Sequence, residues 1–158
     1  MVEKAFKVFL DALRQIFTET GIEITWCGED DGVEPVQVIT SIGITGDLRG
    51  NLLLETDHAS AGKILETMLG DLASSSGMEG LAEIRKASLC ELTNQVAGRA
   101  ITLLSAMGID CDITPPTIIT ADTVTDGISL IGESSRTTTR GPFGGLAIAL
   151  ALEEAAGS

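Results

Sequence analysis

The clearest hydrophobic pattern in the chain lies in residues 81–107, where apolar side chains recur every three to four positions. Successive residues of a helix are about 100° apart, so this spacing predicts one long amphipathic helix with a broad apolar stripe. The stripe comprises Ala82, Leu89, Leu92, Val96, Ala100, Leu103, Leu104 and Met107. We expect the other elements to form the core against which this stripe packs.

Two further helices are predicted earlier in the chain. Residues 2–20 place three phenylalanines on the apolar side of a helix, and the glycine that follows can end it. Thr56 or Asp57 can cap a second helix, which runs to about Leu69 and ends at another glycine.

Most of the remaining chain is typical of short strands, because it is rich in β-branched residues and is interrupted by turn residues. The predicted strands cover residues 22–26, 34–46, 51–55, 110–114, 117–123, 127–132, 136–140 and 144–152, with the reversal of the first hairpin at 47–50 and a Pro-Pro interruption at 115–116. We expect residues 136–140, Arg-Thr-Thr-Thr-Arg, to form an exposed strand whose arginines are solvated or lie in a dimer contact. Residues 144–152 are expected to present one apolar face.

Helices that alternate irregularly with hairpins favour an α+β fold, with helices on one face of a mostly antiparallel sheet. At 158 residues, of which 44% are hydrophobic, the chain is long enough for a substantial core. We therefore expect a single domain that covers residues 1–158.

Charge limits the classes of partner. The formal net charge of -13 argues against nucleic acid and against an anionic membrane surface, because both would repel the protein. Residues 85–107 are locally basic, since they contain Arg85, Lys86 and Arg99 but only one acid. This local charge either helps the long helix to meet an acidic partner or is an ordinary solvated flank.

Cysteine usage and the N-terminal segment indicate the compartment. The three cysteines are odd in number and widely spaced, which is typical of a reduced, cytoplasmic protein. Neither they nor the acidic turn at residues 28–32 has the spacing of a metal site. Glu3 and Asp11 interrupt the apolar core that an export signal needs, and no apolar run is long enough to span a membrane. We expect a cytoplasmic protein that holds no metal of its own.

The polar side of the long helix has unusual chemistry. Ordinary solvated helix faces are filled with Lys and Glu, whereas here Glu91 is the single charge, beside Asn94, Gln95 and several small residues. Glu91 and Asn94 are three positions apart and are therefore neighbours on the helix surface. Gly98 costs about 1 kcal/mol relative to Ala in a helix interior, which favours a need for close approach by another surface. The alternative is that the Glu and the Asn are simply solvated.

The segment 90–100, Cys-Glu-Leu-Thr-Asn-Gln-Val-Ala-Gly-Arg-Ala, resembles the Glu-x-x-Asn helix of the CheX/CheC class of chemotaxis phosphatases. Residues 41–54 are similar to that family's strand, turn and strand, and residues 59–70 to the helix that follows, so the resemblance covers most of the chain. One Glu-x-x-Asn occurs, which favours the single-site, CheX-like branch. Two features depart from many members: Ala87 stands where they have Asp or Ser, and the prolines at 115–116 come slightly early.

The resemblance implies a phosphatase that acts on the aspartyl phosphate of a CheY-like response regulator. On this reading Asn94 orients the hydrolytic water, Glu91 pairs with the regulator's lysine, and Gln95 and Gly98 lie in the contact. The resemblance also implies that the regulator supplies the Mg²⁺ and that the protein is a homodimer.

Two alternatives differ in class. One is a non-catalytic binding module of the same fold, which docks a signalling or flagellar-switch partner. The other, a self-contained small-molecule hydrolase, is disfavoured because the sequence offers no nucleophile with a base, no metal cage and no phosphate-binding loop.

Overall fold

The computed structural model describes residues 1–28, 33, 35–69, 78–120 and 133–155, of which 78–82 and 133 by their backbone alone. Three helices lie in this part of the chain: α1 (Val2–Thr20), α2 (His58–Leu69) and α3 (Met78–Ala106). Gly21 ends α1 in the left-handed conformation, with a φ of 86°, as its lack of a Cβ allows. The Asp57 carboxylate accepts a hydrogen bond from the Ser60 N–H, so Asp57 rather than Thr56 caps α2.

Seven strands form one sheet in the described part of the chain: β1 (Thr25–Gly28), β2 (Val38–Gly46), β3 (Leu48–Thr56), β4 (Cys111–Ile113), β5 (Thr117–Thr120), β6 (Glu133–Gly141) and β7 (Gly144–Glu154). Their spatial order is β1-β6-β7-β3-β2, and β4 and β5 both pair with the outer side of β2. All of these pairs are antiparallel.

One face of the sheet carries the helices. α1 and α3 pack beside each other on it, and their apolar stripes share a single buried cluster with the side chains of the central strands. Members of this cluster include Phe9, Leu13, Phe17, Ile42, Leu52, Leu92, Val96, Leu104, Ile148 and Leu150. The predicted α+β fold, with helices on one face of an antiparallel sheet, is confirmed.

The opposite face of the sheet is also partly covered. β1 and β2 are consecutive strands, yet β6, β7 and β3 lie between them, so the connection from β1 to β2 must cross the sheet. In that connection Val33 lies beside Gly145, and Val36 packs against a second apolar cluster of Ile39, Leu53 and Ala149. Hence β7 is buried on both faces, not on one as its alternation of leucines predicts.

The reversal between β2 and β3 lies close to its predicted place. It is predicted at residues 47–50, whereas the last pair between the two strands is Ile44 with Gly50, so the chain turns within residues 45–49. The strands change partners at this point, since the end of β2 pairs with β4 and the start of β3 pairs with β7. Gly46 has a φ of 111°, a conformation that favours glycine.

The expectation of an exposed strand at residues 136–140 was wrong. β6 lies inside the sheet between β1 and β7, and its residues Thr138 and Thr139 are fully buried. Arg136 forms an ion pair with Glu55 of β3, with 2.9 Å between Nε and Oε1. A polar, β-prone sequence does not distinguish an edge strand from an interior one such as β6, in which the Thr139 hydroxyl donates to the Leu146 carbonyl and Arg136 pairs with Glu55.

The two prolines interrupt the outer strand, as predicted. β4 ends before Pro115 and β5 begins after Pro116, and both pieces pair with β2. Thr114 bridges the break, because its backbone N–H donates to the Gly43 carbonyl and its hydroxyl accepts a hydrogen bond from the Gly43 N–H. A side-chain oxygen thereby replaces a carbonyl of the ladder.

The first residues of two strands differ from the prediction. β1 begins at residue 25, not 22, and β2 at residue 38, not 34. The predicted strand 127–132, the end of the predicted strand 117–123, residues 29–32 of the acidic turn, the glycine after Leu69 and the side chain of Ala82 lie outside the described residues.

The Glu55–Arg136 pair generates a prediction about stability. Burial raises the pKa of the Glu55 carboxyl above its ordinary value, and Arg136 offsets part of that rise. Arg136→Gln removes the offset and raises this pKa further, so ionisation of Glu55 becomes more costly in the folded state. Because a raised folded-state pKa costs stability as pH rises above the unfolded value, the penalty should be larger at pH 7.5 than at pH 5.5.

We expect Arg136→Gln to lower the free energy of unfolding by about 1–3 kcal/mol at pH 7.5, less than for a fully buried pair because Arg136 is half-exposed. Urea unfolding at both pH values checks this. Arg49→Gln is the matched control, since the Arg49–Glu153 pair joins neighbouring strands at an exposed site and should contribute below about 1 kcal/mol at either pH. A pH-independent loss in Arg136→Gln would contradict the prediction.

Candidate active site on helix α3

Helix α3 has one buried side and one exposed side. The seam against α1 and the sheet is buried and consists of Leu92, Thr93, Val96, Ala97, Ala100 and Leu104. The predicted core position Met107 was wrong: α3 ends at Ala106, and Met107 is 49% exposed in the turn that follows. The predicted polar side faces outward, with Ala87, Glu91, Gln95, Thr102 and Ser105 exposed.

Glu91 and Asn94 lie on this outward side one helical turn apart. Glu91 is exposed and Asn94 is half-buried. The Gln95 amide donates a long hydrogen bond of 3.4 Å to the Glu91 carboxylate, which keeps the two side chains together. Among the described residues, nothing forms a hydrogen bond with the Asn94 carboxamide. Within the described part of the chain, its donor and its acceptor are therefore both left for another group.

Gly98 lies one turn after Asn94. A Cβ placed on Gly98 meets no atom of the described residues within 4 Å, so packing against them does not require glycine here. Its φ is also not positive, unlike that of Gly21 or Gly46, so the backbone does not require glycine either. The fold thus leaves the helix surface at Gly98 open to an outside group.

Arg99 ties the site helix to α1. Its guanidinium donates to the Gln15 amide oxygen at 2.9 Å and lies 2.8 Å from the Glu19 carboxylate. The hydrogen bond from Arg99 holds the pKa of Glu19 below its ordinary value. Since Arg99 is paired in this way, the local positive charge predicted for the helix rests mainly on the exposed Arg85 and Lys86.

Sequence reasoning overlooked Thr93. Its hydroxyl is fully buried, between the two candidate residues, and it contacts Thr40 of β2. The signal was present in the pattern, because a threonine at 93 falls inside the apolar stripe between Leu89 and Val96.

Cys90 is the cysteine beside the Glu91–Asn94 motif. Burial raises the pKa of the Cys90 thiol, which opposes formation of a thiolate and fits a small apolar role beside the motif. No group of three or more metal-ligating side chains occurs among the described residues, and the absence of a resident metal stays a prediction. None of the described helices combines the length and apolarity needed to cross a membrane.

Comparison with known proteins gives a consistent family. Residues 38–127 match the family described as chemotaxis phosphatase CheX. The CheY-P phosphatase CheX of Thermotoga maritima is 36% identical over 87 residues, which is 54% of this chain and 52% of that protein. The chain thus aligns with about half the length of this curated relative.

Solved structures share the fold along nearly the whole chain. A chemotaxis protein CheX from Desulfovibrio desulfuricans superposes with a TM-score of 0.78 at 24% identity, over 95% of this chain and 99% of that one. The structure of a CheX-CheY-BeF3-Mg²⁺ complex from Borrelia burgdorferi matches with a TM-score of 0.75 at 22% identity, over 94% of this chain and 97% of that one.

Proposed function

Since the chain belongs to the chemotaxis phosphatase CheX family, which matches more than half of its length, we propose that it dephosphorylates a CheY-like response regulator. The observation that carries the proposal is the pairing of Glu91 and Asn94 on an open helix face, inside the matched region. The 36% identical relative is named a CheY-P phosphatase, which supports the same activity here.

The chemistry of the substrate explains why so few side chains suffice. An aspartyl phosphate is a reactive acyl phosphate, and in our proposal the regulator supplies the Mg²⁺, a lysine and the carboxylate leaving group. What the regulator lacks is a water molecule held in line with the bond from phosphorus to the aspartyl oxygen. A carboxamide can orient such a water because it carries both a donor and an acceptor.

Asn94 takes this role in the proposed mechanism. Its amide group has no hydrogen-bond partner among the described residues, and α3 carries it on the outward side. The attacking water forms the new bond to phosphorus while the bond to the regulator's aspartyl oxygen breaks. The products are inorganic phosphate and a free aspartate.

Glu91 anchors the regulator rather than reacting. Its exposed carboxylate lies one turn from Asn94, where it can pair with the cationic lysine beside the regulator's phosphorylation site. Gln95, which contacts Glu91, and Gly98, which leaves the surface open, complete the docking face. We define this face as Glu91, Asn94, Gln95 and Gly98.

The same proposal covers the domain organisation, the compartment, the partner and the source of the metal. The protein acts as a single domain, residues 1–158, in the cytoplasm, with a phosphorylated regulator as its partner and no cofactor of its own. The Borrelia complex contains CheY and Mg²⁺ together with its CheX, which supports a metal that arrives with the regulator.

We also propose a homodimer, on the resemblance to the single-motif branch. The strands at the C-terminal end, β6 and β7, are paired on both sides and are not the edges that need cover. In the described sheet, the unpaired edges belong to β1 and to β4 with β5, and unpaired edges are templates for a second chain. Sedimentation at micromolar concentration should give the mass of a dimer; a monomer alone would contradict this.

Gly98 gives a test of the docking face. We expect Gly98→Leu to fold with a free energy of unfolding at least equal to the original, because leucine has the higher helix propensity and the site is open. Binding of the phosphorylated regulator should weaken at least about 10-fold, because the added side chain holds the regulator away from the helix. The readout is the dissociation constant for a stably phosphorylated receiver domain.

Gly62→Leu is the matched control, since Gly62 lies inside α2 with equally open space at its Cβ position. It should leave regulator binding unchanged. Equal affinities for the two variants would remove Gly98 from the docking face.

Substitution of the two motif residues should have different effects in a single-turnover assay. We expect Asn94→Ala at saturating concentration to slow decay of the phosphorylated receiver by on the order of 100-fold, because the water loses its positioning group. Its affinity for the regulator should change little. Glu91→Ala should weaken binding by roughly 10- to 150-fold, the equivalent of about 1.5–3 kcal/mol for a charge-assisted contact.

Glu66→Ala removes an exposed carboxylate from α2 and is the control for Glu91→Ala. Thermal unfolding should be unchanged in all three variants, because each side chain reaches solvent. If Asn94→Ala dephosphorylates the receiver at the original rate, the phosphatase proposal fails and the non-catalytic binding module takes its place.

A further inference from the structure

A buried pair of hydroxyl groups joins the site helix to the sheet. Thr93 lies between Glu91 and Asn94 and is fully buried, and Thr40 of β2 is 2% exposed. Their Oγ1 atoms are 2.5 Å apart, across 53 positions of sequence. The contact thus links the middle of the site motif to the centre of the fold.

The direction of this hydrogen bond follows from its neighbours. The Thr93 hydroxyl donates to the Leu89 carbonyl one turn earlier, at 2.9 Å. Its single proton is therefore used, and its oxygen accepts the proton of the Thr40 hydroxyl. The Thr40 hydroxyl thus donates to the Thr93 hydroxyl, which in turn donates to the Leu89 carbonyl of the helix backbone.

The rest of the seam restrains rotation of α3 less sharply. Close to Thr93 it is formed by Leu92, Val96, Ala97 and Ala100, whose contacts are apolar and non-directional. The directional contacts of Arg99 with α1 are exposed, whereas the Thr40–Thr93 hydrogen bond is buried, and a hydrogen bond weakens steeply when its angle changes. The Thr40–Thr93 bond is thus well placed to select one rotation of α3 about its axis.

Rotation of α3 matters because the docking face is far from the axis. A side chain lies about 5–6 Å from the centre of a helix, so a rotation of about 10° moves it by about 1 Å. A misplacement of about 1 Å can cost on the order of 100-fold in a reaction that depends on positioning.

We propose that Thr93, held by Thr40, is a positioning residue that sets the rotation of α3 and thereby aims the Asn94 carboxamide. The proposal rests on the phosphatase function proposed above. It predicts that removal of the buried hydroxyl pair impairs the reaction even where the stability of the protein is preserved. A purely structural role predicts that activity follows stability.

Four variants separate the two roles. Thr93→Val and Thr40→Val each leave one buried hydroxyl without its original partner, which should lower the free energy of unfolding. The double variant Thr40→Val/Thr93→Val replaces both hydroxyls by methyl groups of similar shape and should recover most of that loss. Thr93→Ser keeps the hydroxyl and is the conservative control.

Single-turnover decay of a phosphorylated receiver at saturation, the dissociation constant and urea unfolding are measured for each variant. We expect Thr93→Val and the double variant to react about 10- to 100-fold more slowly than the original protein, with dissociation constants within about threefold. Thr93→Ser should react within about threefold of the original rate. A double variant that regains both stability and the original rate would overturn the proposal.

A crystal structure of the double variant gives a readout that does not depend on activity. We expect α3 to be rotated relative to β2, or to occupy more than one rotation. If α3 keeps its orientation, the positioning role is wrong, whatever the rates. If the original protein does not accelerate decay of any receiver tested, the phosphatase proposal fails, while the rotation still decides whether the hydroxyl pair orients the helix.

Discussion

The structure depends on one constraint: α3 must bury one side fully while it keeps the opposite side open. The buried side contributes Leu92, Val96 and Leu104 to the cluster that joins α1 to the sheet, so the helix cannot leave the core without large cost. The Arg99 contact with α1 and the Thr40 contact with β2 hold the same helix from two directions. The candidate site is therefore carried by a helix that the core and two polar contacts hold in place, which suits a reaction based on positioning.

The sequence predicted the helices and their buried sides well because their apolar residues repeat with the helical period over long segments. Resemblance, rather than periodicity, identified Glu91 and Asn94, since an exposed Glu and Asn are ordinary on any helix surface. The family is established by the match of residues 38–127, and the roles of the two residues remain our proposal.

The errors have a shared physical origin in long-range pairing. β6 looked like an exposed strand because Arg136 and three threonines are polar, but a buried glutamate on β3 and two neighbouring strands make it an interior one. Likewise, the turn at residues 45–49 depends on the pairing of Gly46 with β4 and of Leu48 with β7, and the burial of both faces of β7 depends on a connection that crosses the sheet. Local propensity contains none of this information, because each feature is decided by residues distant in sequence.

Three departures from ordinary helix composition lie within six residues of α3: a buried hydroxyl at Thr93, an asparagine at 94 and a glycine at 98. Each lowers intrinsic helix stability. Gly98 and Asn94 do not fill the core, since Gly98 has no described atom near its Cβ position and Asn94 reaches the surface, whereas Thr93 places a polar hydroxyl inside the buried seam. The long apolar seam of a 29-residue helix supplies the tertiary stability that makes these residues tolerable. Proteins break local rules most often where function requires it, so Asn94 and Gly98, one turn apart on the outward side of α3, support the proposed docking face.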